Sequence, residues 1–125
     1  MAATMKVLIA YDGSSCADAA LHDLSYAGLP QEAEALILSV ADVFLPPPSA
    51  AAGFPAHVPP AVQRAWAQAT QAVDDTHSLA QQARTRLLQS FPAWEVHAEA
   101  CADSPAWAII KKADAWQPDL IVVGS

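Results

Sequence analysis

The sequence predicts an α/β domain built on a doubly wound, open parallel sheet. Two observations carry this prediction. Short, almost continuously apolar runs at 7–10, 35–43 and 119–125 have the length and composition of strands buried on both faces. Stretches with apolar residues at helical spacing separate these runs. Buried strands that alternate with helices are typical of a parallel sheet covered by helices.

The first strand stops at a turn that leads directly into a helix. The apolar run 7–10 is followed by Tyr-Asp-Gly and then by two serines, which suit a turn and a helix cap. Ser15 and Asp18 have the spacing of a capping box. Apolar residues continue at helical spacing until Gly28, which can supply a left-handed cap. We therefore expect the first helix at about 15–27.

The middle of the chain predicts a second strand, a loop and a long helix. The strand covers 35–43. Six of the ten prolines then fall within 44–60, and this density predicts an extended loop. The apolar residues of this loop allow a lid over a crevice, and a mobile loop without a role is equally compatible with the composition. Residues 61–90 form an amphipathic pattern that predicts one long helix.

The last third of the chain predicts an edge strand, a helix and a final strand. Apolar and polar residues alternate over 94–100, as in a strand with one wet face, so we expect this strand at an edge with His97 on the surface. A Ser-Pro pair at 104–105 begins the next helix. The final strand is 119–125. Together these elements predict the strand order 3-2-1-4.

This strand order places a candidate site where the direction of winding reverses. In doubly wound domains, ligands bind outside the carboxyl ends of the strands at the point where the order reverses. Here that point lies between strands 1 and 4, so Asp12 and Gly13 come to lie beside Gly124 and Ser125. Tips without bulky side chains let a ligand approach backbone N–H groups closely.

Composition limits the classes of function. The chain has 125 residues, which suits one domain, and a net charge of −7 with scattered cations. It therefore has no basic footprint for nucleic acid or an anionic membrane. Cys16 and Cys101 are the only cysteines and form no CxxC pair, which argues against a zinc site. With no apparent signal peptide or spanning segment, we expect a cytoplasmic protein.

Four segments, taken together and in this order, resemble the universal stress protein family. They are Lys6-Val7-Leu8-Ile9-Ala10-Tyr11-Asp12-Gly13-Ser14, the proline-rich loop before the long helix, Ser104-Pro105-Ala106-Trp107-Ala108-Ile109-Ile110 and Pro118-Asp119-Leu120-Ile121-Val122-Val123-Gly124-Ser125. The resemblance covers essentially the whole chain. It implies a small cytoplasmic α/β domain, usually a homodimer, that binds ATP in one branch of the family and not in another.

The resemblance also implies nucleoside-binding positions. In the ATP-binding branch, the acid at the end of strand 1 contacts the nucleoside. Asp12 occupies this place, with Ala10 and Tyr11 beside it. A residue near the end of strand 2 contacts adenine in that branch, and Val40 matches it. The resemblance therefore assigns these four residues to one nucleotide site.

The tip of strand 4 resembles the beginning of the family's phosphate loop. Gly124 matches the first glycine of that loop, between Val123 and Ser125. The rest of the loop, the last helix and the fifth strand, which commonly pairs in the family's dimer, are absent from residues 1–125. We therefore expect a single domain of this type that is either truncated at its carboxyl end or naturally degenerate there. Asp103 stands where many members have glycine, and its carboxylate would be unfavourable beside an anionic ligand if it pointed inward.

Two functions are compatible with the sequence. The first is a regulatory stress protein that binds ATP or another adenine nucleotide, although Asp12 could equally be a residue that only closes a turn. The second is a protein-interaction module of the same fold that binds no nucleotide. The sequence lacks the GxxxxGK[ST], GxGxxG, HExxH and GxSxG motifs, and no base partner for Cys16 is evident. We therefore expect no catalysis beyond slow nucleotide hydrolysis.

Overall fold

The structure, a computed structural model, describes residues 4–42 and 60–124. Strands and helices alternate along this part of the chain, as the sequence predicts. They are β1 (Met5–Ala10), α1 (Ser15–Leu24), β2 (Ala33–Ala41), α2 (Pro60–Ser90), β3 (Glu95–Ala102), α3 (Pro105–Trp116) and β4 (Leu120–Val123). None of the helices within the described ranges is long and apolar enough to cross a membrane.

The strands form one parallel sheet in the predicted order, β3-β2-β1-β4. β1 lies between two partners, with Val7 opposite Ala35 of β2 and Ala10 opposite Val123 of β4. β3 lies at one edge of this sheet, as expected, and His97 on it is exposed. The carboxyl ends of β1, β2 and β4 consequently meet at the same edge of the domain.

Each face of the sheet has its own core. α1 and α2 cover one face, where Val7, Ile9 and Ile37 are buried. α3 covers the opposite face, where Leu8 is fully buried. Successive side chains of a strand point to opposite faces, which is why β1 and β2 have continuous apolar runs. Burial of each of these large side chains stabilises the fold by about 1.5–3 kcal/mol relative to exposure.

The start of α1 differs from the prediction. Ser14, not Ser15, is the N-cap, and its hydroxyl oxygen accepts a hydrogen bond from the backbone N–H of Ala17 at 3.1 Å. The prediction of a capping box between Ser15 and Asp18 is therefore wrong. The carboxylate of Asp18 is used elsewhere: it accepts a hydrogen bond from the Tyr11 hydroxyl. This tertiary bond replaces the local one.

Several predicted boundaries are shifted by a few residues. α1 ends at Leu24 rather than near residue 27, because the next residues form a tighter turn in which the backbone N–H groups of Ser25 and Tyr26 bond to carbonyls three residues earlier. Gly28 has the predicted left-handed conformation, with φ of 71°. β2 begins and ends two residues before the expected range, and β3 extends to Ala102.

The predicted loop 44–60 lies almost entirely outside the described residues. Its last residue, Pro60, is the first residue of α2 rather than part of a loop. Proline is well suited to this position, because the first N–H groups of a helix have no intrahelical acceptor. The helix start that the sequence predicts at the Ser-Pro pair is confirmed: Ser104 is the N-cap of α3 and Pro105 follows it.

Candidate functional site

A crevice of about 120 Å³ lies at the carboxyl ends of β1, β2 and β4, where the sequence places the site. Its walls are formed by the tips of these strands and by the first turns of α3. The lining residues are Ala10, Tyr11, Asp12, Leu38, Val40, Pro105, Ile109 and Gly124. The structure therefore brings together five of the seven predicted site residues. Val123 does not line the crevice and is 56 % exposed, and Ser125 lies outside the described residues.

Asp12 is the polar group of this crevice, and it also closes the turn after β1. Its Oδ1 accepts a hydrogen bond from the backbone N–H of Ser14 at 2.9 Å, and Gly13 between them has a φ of 79°. Hydrogen bonds from the hydroxyl and the backbone N–H of Ser14 hold the pKa of Asp12 below its usual value. The exposed carboxylate is therefore ionised at neutral pH and can accept hydrogen bonds from ligand hydroxyls.

Tyr11 contributes little polar chemistry to the crevice. Its side chain belongs to the core between the sheet and helices α1 and α2, and only 5 % of the residue is exposed. The hydroxyl donates to Asp18 Oδ1 at 2.5 Å, and Asp18 is not among the residues that line the crevice. Burial first, and then this hydrogen bond, raise the pKa of Tyr11. Tyr11 therefore lines the crevice, but its hydroxyl is used in a structural contact with Asp18.

Gly124 is packed against the first turn of α1. A Cβ atom at this position would lie 2.6 Å from the Cα of Ala17 and 2.7 Å from the carbonyl oxygen of Cys16. Both distances are shorter than Cβ contacts in real structures, so no larger residue fits without a movement of the backbone. The sequence suggested glycine for the close approach of a ligand. The structure shows a close approach of a helix.

The first turns of α3 form an apolar wall that the sequence motifs do not predict as part of the site. Pro105 and Ile109 face the crevice together with Leu38 and Val40 of β2. The topology does predict this position for the start of α3. Because α3 follows β3 in a parallel sheet, it begins at the edge where all strands end. The crevice therefore combines an apolar part along β2 and α3 with a carboxylate at the tip of β1.

Asp103 does not line this crevice, although its position beside the start of α3 suggested a conflict with an anionic ligand. Its Oδ2 accepts a hydrogen bond from Lys111 Nζ at 2.6 Å, and its Oδ1 accepts one from the N–H of Ser104 at 2.8 Å. These bonds, the one from Lys111 first, lower the pKa of Asp103. The pair lines a neighbouring crevice of about 490 Å³ between α3 and β3. The ammonium group of Lys111 thus compensates the negative charge of the Asp103 carboxylate.

Both cysteines are free thiols. Cys16 is exposed, and neither cysteine forms a disulfide. Cys101 is partly buried, and burial raises the pKa of its thiol, which keeps it protonated and a poor nucleophile. Within residues 4–42 and 60–124, no group of three or more His, Cys, Asp or Glu side chains is arranged to hold a metal ion.

The sequence profile of the Universal stress protein family matches residues 4–125. The chain therefore belongs to this family, in agreement with the resemblance of its motifs. A comparison with curated proteins gives no significant match.

Solved structures share this fold over nearly the whole chain. The universal stress protein UspA from Lactobacillus plantarum is 24 % identical with a TM-score of 0.59, and the match covers 98 % of this chain and 78 % of that one. The family protein At3g01520 from Arabidopsis thaliana, solved with AMP bound, is 17 % identical with a TM-score of 0.62, over 97 % and 76 % of the two chains. A universal stress protein in complex with cAMP is 15 % identical with a TM-score of 0.55, over 96 % and 72 %.

Proposed function

We propose that this universal stress protein is a small cytoplasmic regulatory protein, and a homodimer, that binds ATP or another adenine nucleotide in the crevice between the tips of β1 and β4. The observation that carries the proposal is the combination of two surfaces in one crevice: the ionised carboxylate of Asp12 and the apolar wall at Val40 and Ile109. A nucleoside needs both kinds of surface. The AMP and cAMP bound to two structural relatives support the choice of an adenine nucleotide.

The size of the crevice indicates how the ligand would lie. Ligand pockets for small molecules usually have volumes of about 300–1,000 Å³. At about 120 Å³, this crevice has room for a base but not for a whole nucleotide. We infer that the base lies against Val40 and Ile109, that a ribose hydroxyl donates to Asp12, and that the phosphates extend toward the tip of β4 at Gly124. Asp12, which already accepts hydrogen bonds from Ser14, keeps further acceptor positions for such a hydroxyl.

Isothermal titration calorimetry tests this proposal. Wild-type protein is titrated with ATP, AMP and cAMP, and with GTP as a probe of base selectivity. We expect binding of at least one adenine nucleotide and weaker binding of GTP. The Val40→Trp variant fills the crevice and should abolish binding, whereas Ile110→Trp adds the same side chain at a site that is 57 % exposed and outside the crevice. Absence of binding by the wild type would refute the proposal.

A protein-interaction module that binds no nucleotide is the second candidate function. It is favoured by large apolar side chains that remain exposed on α3 and β4. These are Trp107, Ile110, Ile121 and Val123, which are 44–57 % exposed. Exposed apolar side chains that occur together mark surfaces for binding proteins more often than isolated ones do. If the wild type binds none of the adenine nucleotides, this candidate becomes the better account of the fold.

A further inference from the structure

A hydrogen-bond network on the α1 and α2 face of the sheet links the tip of β1 to both of these helices. The Tyr11 hydroxyl donates to Asp18 Oδ1 at 2.5 Å, and Arg86 of α2 donates from Nη1 to the same oxygen at 2.6 Å. Tyr11 directly precedes Asp12 in the chain. Asp18 therefore connects Tyr11, the residue before the proposed ligand-binding Asp12, to the two helices on that face of the sheet.

The same turn of α1 also carries the tip of β4. Ala17, the neighbour of Asp18, is the residue whose backbone lies against Gly124. The first turn of α1 consequently contacts both sides of the crevice: the β1 side through Asp18 and Tyr11, and the β4 side through Ala17. A displacement of this turn would change the spacing between the two tips.

The helix α2 restrains the turn after β1 as well. A Cβ atom on Gly13 would lie 3.2 Å from both δ carbons of Leu79, so the turn rests on that side chain. Arg86 lies further along the same helix and pairs with Asp18. The two charged side chains are 52 % and 38 % exposed, and a pair this exposed contributes little to the free energy of unfolding by itself. Its geometric effect, however, is to fix the side chain to which Tyr11 bonds.

We infer that Asp18 is a positioning residue for the proposed nucleotide site: through Tyr11 and the first turn of α1 it sets the spacing of the strand tips that flank the crevice. Asp18 does not line the crevice and is not expected to touch the ligand. The inference rests on the proposed function for its effect on affinity. Its geometric part, the control of the tips, can be tested without any ligand.

The test combines ATP affinity with hydrogen exchange in three variants. Asp18→Ala removes both hydrogen bonds of the carboxylate, and Asp18→Asn keeps an acceptor oxygen for Tyr11 while it removes the charge that pairs with Arg86. Asp23→Ala is the matched control, because it removes an exposed carboxylate from the same helix outside the crevice. We expect Asp18→Ala to raise the Kd for ATP by about tenfold, within the range for residues that act on a site from a distance.

Two further observations separate positioning from a general loss of stability. Asp18→Asn should recover most of the ATP affinity, because the bond to Tyr11 is kept. In a double-mutant cycle, Tyr11→Phe and Asp18→Ala should be non-additive in ATP affinity, since both remove the same bond. Additive effects, or equal losses of affinity in Asp18→Ala and Asp23→Ala, would overturn the inference.

Hydrogen exchange of the free protein decides the geometric part. Asp18→Ala should accelerate exchange of the amides of residues 12–14 and of Gly124, and Asp23→Ala should leave them unchanged. Unchanged exchange at these amides in Asp18→Ala would refute the inference even if ATP binds to the wild type. If the wild type binds no ATP, the proposed function fails, and the exchange data still show whether Asp18 controls the tips. Should Asp18→Ala not fold, the same comparison is made with Tyr11→Phe, which removes only the hydroxyl that bonds to Asp18.

Discussion

Replacement of Gly124 by alanine tests the contact that joins β4 to α1. The added Cβ would lie 2.6 Å from the Cα of Ala17, 2.7 Å from the carbonyl oxygen of Cys16 and 2.8 Å from the backbone nitrogen of Ala17. Ordinary contact begins at 3.4 Å, so the tip or the helix must move by about 0.8 Å. All three obstacles are backbone atoms, and a change of side-chain rotamer cannot relieve them.

We expect Gly124→Ala to lower the free energy of unfolding by about 1–3 kcal/mol, which is typical when an extra methyl group is forced into a packed site. Urea denaturation followed by tryptophan fluorescence measures this loss as a decrease of about 1 M in the midpoint. The same movement should weaken ATP binding, because it displaces one side of the crevice. Val123→Ala, at a half-exposed position of the same strand, is the control and should change both quantities much less.

An unchanged urea midpoint in Gly124→Ala would refute this reasoning, since it would mean that the tip of β4 does not lie on α1 as described. A loss of stability as large in Val123→Ala as in Gly124→Ala would also contradict it. In that case the strand as a whole, rather than the close backbone contact, would be the sensitive feature.

Three further predictions concern stability away from the crevice. Ser39→Ala should leave the free energy of unfolding unchanged or raise it by up to about 1 kcal/mol in urea denaturation, because the Ser39 hydroxyl is buried and has no hydrogen-bond partner among the described residues. Trp94→Phe should lower it by about 1 kcal/mol, since the Nε1–H of Trp94 donates to the Pro30 carbonyl at 2.9 Å. The pKa values of Asp18 and Asp103 are lowered by hydrogen bonds, from Tyr11 and Lys111 first. The ionised carboxylates therefore stabilise the fold fully above the ordinary carboxyl pKa of about 4, and this stabilisation is lost as the pH falls through the lowered pKa. Acid unfolding curves of Asp18→Asn should consequently show a smaller loss of stability below about pH 4 than those of the wild type.

The fold could be predicted because each element has a local pattern that agrees with the others. Continuous apolar runs identify the central strands, alternation over 94–100 identifies the edge strand, and a Ser-Pro pair identifies the start of α3. The sheet order then follows from the crossover pattern of doubly wound folds. The family match over residues 4–125 agrees with this fold.

Details that depend on tertiary contacts could not be predicted in the same way. The capping box at Ser15 was wrong because Asp18 bonds to Tyr11 and Arg86, which are distant partners that no local spacing reveals. The predicted end of α1 was too late because a tighter turn replaces the helix before Gly28 rather than at Gly28. Local sequence determines which caps are possible, and packing selects among them.

The sequence predicts where the crevice lies, but it does not reveal every residue that lines it. Topology alone brings Asp12, Val40 and Gly124 to one crevice. The wall supplied by Ile109 was missed because a helix residue of the apolar stripe looks like an ordinary core residue in sequence. The pairing of Asp103 with Lys111 was missed as well, because both orientations of the Asp103 side chain are compatible with the sequence.

The central claim, that the crevice binds an adenine nucleotide through Asp12, is tested most directly by the ATP affinity of Asp12→Ala measured beside its stability. We predict that wild-type protein binds ATP and that Asp12→Ala raises the Kd about tenfold or more, the effect of losing a hydrogen bond to a charged group. Because the Asp12 carboxylate bonds to Ser14 within an exposed turn, the urea midpoint should change little. No ATP binding by the wild type, or a loss of affinity that merely follows a loss of stability, would contradict the claim.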